Sequence, residues 1–95
     1  MPAYVLANVR ITDPAGFEEY RKLVPASIAA FGGRYLVRGG ATEVTEGDWK
    51  AHHLIVLEFP DVETIKAWYH SAAYKKLLEL RQRTATTDFA IIEGV

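Results

Sequence analysis

The ten residues FGGRYLVRGG, Phe31–Gly40, decide how the rest of the chain is read. A Gly-Gly pair ahead of an apolar, β-branched run marks the point where a helix stops and a strand starts. Glycine takes the left-handed conformation of a helix C-terminal cap without a Cβ penalty. Upstream, Phe17, Tyr20, Val24, Ile28 and Phe31 recur at steps of three and four. That is the buried stripe of a helix, with Asp13 as N-cap and Pro14 at its first position. Pro25 falls inside this pattern, and its missing N–H predicts a kink. Ahead of the helix, AYVLANVRI (Ala3–Ile11) reads as a first strand, with Val5, Ala7, Val9 and Ile11 on one face.

Downstream, Arg34–Val44 reads as a second strand, Tyr35 and Val37 facing one side and Leu36 and Arg38 the other. Gly39-Gly40 then falls in mid-strand. It marks either a bulge or backbone kept bare so that a ligand or a partner chain can lie against it. Glu46-Gly47-Asp48 supplies a hairpin turn, and His53–Phe59 a third strand. Asp61 caps a second helix with Ile65, Trp68 and Tyr69 as its stripe. Ser71 restarts that helix before Tyr74, Leu77 and Leu78, and Asp88–Val95 forms strand four.

The order is β-α-β-β-α-β. Right-handed crossovers restrict it to a single α+β domain over residues 1–95: a four-stranded antiparallel sheet with two helices on one face, the ferredoxin-like fold. The uncovered face is expected to carry Tyr4, Leu6, Asn8, Leu36, Arg38, Leu54, Val56, Glu58, Ile91 and Glu93. So many large apolar side chains do not sit in water in a stable protein, and a twin subunit packed sheet to sheet is the simplest cover. A homodimer is expected.

Composition narrows the function classes. Eleven basic residues against twelve acidic ones give a net charge of −1, which argues against a nucleic-acid partner or an electrostatic membrane contact. The chain has no cysteine, so thiol nucleophiles and thiolate metal sites are excluded. The opening MPAYVLANVR is interrupted by Arg10 and does not read as a signal peptide, and a cytoplasmic protein is expected.

The segments FGGRYLVRGG, EGDW, VLEFPDVETIKAWYHSAAYKKLLELR and IIEGV closely resemble the domain-of-unknown-function family numbered thirteen-thirty. The resemblance spans nearly the whole chain. It implies membership of the dimeric α/β-barrel superfamily, in which two ferredoxin-like sheets pair into a barrel with a pocket between helices and sheet or inside the barrel. Relatives in that superfamily run from monooxygenases to isomerases, so the resemblance implies a fold and an assembly more than a reaction. Family members usually carry arginine at the position of His53 and a polar or basic residue at that of Phe89.

Arg38 is the leading candidate for chemistry. A hairpin centred on Gly47 would set it opposite Val56 with Glu58 diagonal to it, giving a structural ion pair. Alternatively, the guanidinium clamps a carboxylate or enolate oxygen. His52 and His53 point to opposite faces of a strand and cannot share a metal ion, so no metal or other cofactor is expected. Either histidine suits proton transfer near neutrality, and His53 is the one the resemblance singles out. Arg38, His53 and Glu58 are therefore the candidate catalytic set. Asn8, Gly39, Gly40, Trp68, Ser71 and Arg81 are candidate ligand contacts, although Trp68 also suits a core, Ser71 a helix cap and Arg81 a solvated helix face.

The function expected is binding of a small anionic molecule, with a cofactor-free enzyme acting on an organic acid or carbonyl compound as its catalytic form. The alternative is a non-catalytic dimerisation or interaction module.

Overall fold

The computed structural model describes all 95 residues. Its elements are β1 (Ala3–Ile11), α1 (Pro14–Ala30), β2 (Arg34–Arg38), β3 (His53–Phe59), α2 (Val62–Tyr69), α3 (Ala72–Thr84) and β4 (Ala85–Glu93). The strands form one antiparallel sheet in the order β2-β3-β1-β4. All three helices lie on one face, so the fold is ferredoxin-like with its second helix broken in two.

Local chemistry accounts for the helix boundaries. The Asp13 carboxylate accepts from the Gly16 amide at 3.2 Å, Asp61 from the Thr64 amide at 2.7 Å, and Ser71 from the Tyr74 amide at 3.1 Å. Each cap satisfies an amide that has no partner within its own helix. At the other end of α1, Gly32 sits at φ +76°, and the Gly32 and Gly33 amides close onto the carbonyls of Ala29 and Ile28.

The core lies between sheet and helices. Val5, Phe59, Ile65, Trp68 and Tyr74 are its largest fully enclosed side chains. Trp68 is the hub: its ring packs against Tyr74 at 4.2 Å and Phe59 at 5.4 Å between centroids, and its indole N–H donates to Ser27 Oγ. Truncating such an aromatic costs about 3–5 kcal/mol.

Three expectations need correction. First, β2 ends at Arg38 rather than Val44, and residues 39–52 form a loop without regular secondary structure; the loop does bend at Glu46–Asp48, but the pairing of β2 with β3 sets Arg38 opposite Ile55 instead of Val56. Second, the bulge in β2 falls at Leu36, not at the glycine pair. Tyr35 pairs with Leu57 and Val37 with Val56, leaving Leu36 as the extra residue. One extra residue reverses every side chain beyond it. Arg38, opposite Ile55, therefore faces the helices rather than the open side. Third, β4 starts at Ala85 directly after α3. Ile91 pairs with Val5 and Glu93 with Ala3, both core positions, so Ile91 and Glu93 point to the helix side and Ile92, Ala90 and Asp88 to the open one.

Pro25 does not interrupt α1, which runs unbroken through it. The missing N–H instead leaves the Arg21 carbonyl without its helical partner.

Candidate functional site

A cavity of about 40 Å³ lies under the helices and touches every strand. Tyr35 and Arg38 come from β2; His53, Ile55 and Leu57 from β3; Val5, Ala7 and Val9 from β1; and Phe89 from β4. Its roof is Phe17, Tyr20, Arg21, Val24 and Ile28 of α1, Trp68 of α2 and Arg81 of α3. Most of this lining is apolar. All of its charged members, Arg21, Arg38 and Arg81, are cationic, and no carboxylate borders the space.

Arg38 is at the mouth, on the β2 edge. Its Nη2 donates to the Arg21 carbonyl at 2.7 Å, the acceptor that Pro25 leaves free. Its guanidinium carbon sits 4.6 Å from the centre of the Tyr35 ring, within cation–π range. The expected Arg38–Glu58 pair does not form. Glu58 lies on the open face, where Arg34 reaches it at 2.7 Å and the Tyr4 hydroxyl donates to it at 3.2 Å. Arg34 holds the Glu58 carboxyl below its usual range.

Arg81 occupies the interior. It is only 6% exposed, its guanidinium carbon is 5.1 Å from the Phe89 ring centre, and its Nε has no acceptor. No carboxylate forms an ion pair with it; the only such pair in the molecule is Arg34–Glu58. Beside it, the Tyr20 and Tyr74 hydroxyls share a hydrogen bond of 2.8 Å. Burial raises both phenols above the usual tyrosine range, so both stay protonated and neither is a counter-anion for Arg81, although the Tyr74 hydroxyl is close enough to interact with the guanidinium. Of the two readings the sequence allows for Arg81, a ligand contact or a solvated helix face, the second does not hold: the residue is buried on the stripe of α3 that begins at Tyr74.

His53 stands between mouth and interior, its ring edge-on to Phe17 at 6.2 Å between centroids. Burial, then the Arg21 and Arg38 charges, hold its pKa below the ordinary histidine value of 6.5. It is neutral at physiological pH and free to accept a proton. The imidazole rests against Gly39, which has φ +71° and whose amide donates to the Leu54 carbonyl at 2.7 Å. A Cβ at Gly39 would come within 1.9 Å of the His53 Cε1 carbon. What lies against the second glycine pair is thus the chain's own histidine; Gly40 has open space around it.

The other candidates are elsewhere. Asn8, on the open face, donates to the Lys50 carbonyl at 2.7 Å and accepts from the His52 amide at 2.9 Å, holding down the end of the 39–52 loop. Ser71 caps α3 and donates to the Trp68 carbonyl. No three His, Asp or Glu side chains come together in a geometry suited to a metal ion. Of the nine candidate residues, Arg38, His53, Trp68 and Arg81 line the cavity and Gly39 supports it. Tyr20, Arg21 and Tyr35 complete the polar lining; nothing in the sequence distinguishes them from ordinary stripe or strand residues.

Comparison with known proteins agrees with this architecture. The model of a domain of unknown function, DUF1330, matches residues 2–95. The chain belongs to that family. No curated protein matches it. Among solved structures, a protein of unknown function from Rhodopseudomonas palustris superposes with a TM-score of 0.80 at 17% identity, over 99% of this chain and 82% of that one. SnoaB, a cofactor-independent oxygenase from Streptomyces nogalater, gives 0.65 at 12% identity, covering 99% and 93%. A dimeric ferredoxin-like protein of unknown function from Jannaschia sp. CCS1 gives 0.72 at 10% identity, covering 99% and 100%. At such identities the likeness is one of fold. No helix is long and apolar enough to cross a membrane.

Proposed function

We propose that this protein binds a small organic anion in the cavity between sheet and helices. One observation carries the reading: Arg81 is a buried cation that lines a cavity, and no carboxylate compensates it. Burying an unpaired charge costs several kcal/mol. An incoming carboxylate, enolate or phenolate would recover much of that cost through charge-assisted hydrogen bonds. The volume suits a ligand of a few heavy atoms, since a single water needs only about 10–15 Å³.

In the catalytic form of this reading, His53 takes a proton from the bound acid or carbonyl compound. The electron pair left behind rests on an oxygen held by Arg81 or Arg38. A neutral imidazole beside arginines in an apolar cavity suits such a transfer without a cofactor. SnoaB, a cofactor-independent oxygenase of similar fold, is an example of that economy. Asn8, Gly40, Ser71 and Glu58, which lie outside the cavity, have no part in it.

The protein is further proposed to act as a homodimer through its open sheet face, where Leu6, Val37 and Ile92 are each at least 40% exposed. The dimeric protein from Jannaschia, of the same fold, supports this assembly.

The test is a thermal-shift and calorimetric screen of small carboxylates, lactones and quinols against the wild type and Arg81→Met. Stabilisation of the wild type that Arg81→Met loses is the expected result. If nothing binds, or if both proteins bind equally, the anion reading is overturned and the dimerisation module remains.

A further inference from the structure

We infer that Pro25 is a positioning residue for the cavity: by denying the Arg21 carbonyl its helical partner, it creates the acceptor that fixes Arg38 at the mouth. In an unbroken α-helix, the residue 25 amide would donate to the Arg21 carbonyl. Proline has no such N–H, yet α1 continues from Pro14 to Ala30. The carbonyl left over faces Arg38, whose Nη2 fills it at 2.7 Å. The backbone of α1 and the edge strand are thereby joined across the opening of the cavity.

The arrangement answers three separate problems. A proline within a helix removes one hydrogen bond, and an orphaned carbonyl needs a donor. An arginine at a strand end is a long, flexible group, and a fixed acceptor removes much of its rotamer freedom. The bulge at Leu36 turns Arg38 toward the helices, and without that turn it would be on the wrong face to reach the carbonyl. Bulge and proline are thus two halves of one device, which also places a cation beside His53. Arg21, also of α1, and Arg38 are the charged groups that act on this imidazole; Phe17 of α1 and Gly39 flank it without charge.

The consequence for ligand affinity rests on the anion-binding reading, but the positioning does not, and one experiment separates them. The His53 titration is followed by NMR in the wild type, in Pro25→Ala, and in a synthetic chain with ester-linked lactic acid in place of Pro25. Alanine restores the N–H, so the helix reclaims the carbonyl and Arg38 is released. The ester lacks the N–H, as proline does, and keeps Arg38 in place. The expected result is a His53 midpoint that rises in Pro25→Ala and returns to the wild-type value in the ester chain. Any acid bound by the wild type should also bind Pro25→Ala about 2- to 10-fold more weakly, the equivalent of one lost hydrogen bond. A midpoint unchanged in Pro25→Ala overturns the inference. So does one shifted equally in the ester chain, because the ring and not the missing N–H would then be responsible. If no acid binds any of the three, the anion reading fails while the titration still decides the role of Pro25.

Discussion

On the open face of the sheet, Arg34 meets Glu58 at 2.7 Å with its side chain 70% exposed; on the covered face, Arg81 is 6% exposed and meets no carboxylate. Solvent explains why the first costs little and contributes little: exposed ion pairs are screened by water and salt. The second is a charge that folding has taken out of water with an aromatic ring but no carboxylate beside it. The open face is short of apolar cover and the covered face short of negative charge. The proposed partners differ accordingly, a second sheet for one and a small anion for the other.

The contrast can be broken first at the open face. Leu6→Asp or Leu54→Asp places a carboxylate at its centre, and the expected outcome is complete conversion of a dimer to folded monomer in size-exclusion chromatography with light scattering. A wild type already monomeric at micromolar concentration would remove the need for a second sheet.

The next largest effect is at Gly39. Alanine there meets both a positive φ and the His53 ring, and a loss of about 2–4 kcal/mol in urea denaturation is expected. Gly40→Ala, with no atom within 4 Å of its added methyl, should change stability far less. Equal losses would show that the imidazole does not rest where the structure places it.

Arg81→Met sharpens the comparison most directly. Replacing a buried charge that meets no carboxylate by an apolar side chain of similar length should leave stability unchanged or raise it by about 1 kcal/mol. Removal of Glu58's partner in Arg34→Gln should be hardly visible at neutral pH. A clear loss of stability in Arg81→Met would mean that the guanidinium is structurally satisfied, and the asymmetry between the faces would disappear.

The smallest effects are in the pH dependence. The Glu58 carboxyl is held below its ordinary value of 4.5, so its contribution is present above that value and is lost as pH falls through the folded pKa. Arg34→Gln should flatten this acid limb. His53 is likewise held below 6.5, so the unfolded chain binds its proton more readily and stability declines as pH drops beneath 6.5. His53→Gln should remove that part of the slope, which urea titrations at several pH values will show.

Much of this was legible in the chain itself. The steps of three and four from Phe17 to Ile28, the caps Asp13, Asp61 and Ser71, and the glycine stop after Phe31 placed the helices, because capping and periodicity act within a few residues. The alternation in Ala3–Ile11 identified the central strand and its core face. Arg81 was legible in principle: it follows Tyr74, Leu77 and Leu78 at helical spacing on an apolar stripe, and only its charge argued for solvent. The polar start of β4, Ala85-Thr86-Thr87, concealed where that strand begins and so which of its residues face the core.

Sequence alone therefore determined the elements, their order and the family, since each depends on local propensity and on which faces must be dry. Tertiary structure decided which arginine meets Glu58 and which looks into the cavity. That choice turns on a single extra residue at Leu36, set by the pairing of β2 with β3, and on a carbonyl in α1 that Pro25 leaves open. Strand register and the destination of an orphaned acceptor are relations between distant segments, and no local pattern encodes them.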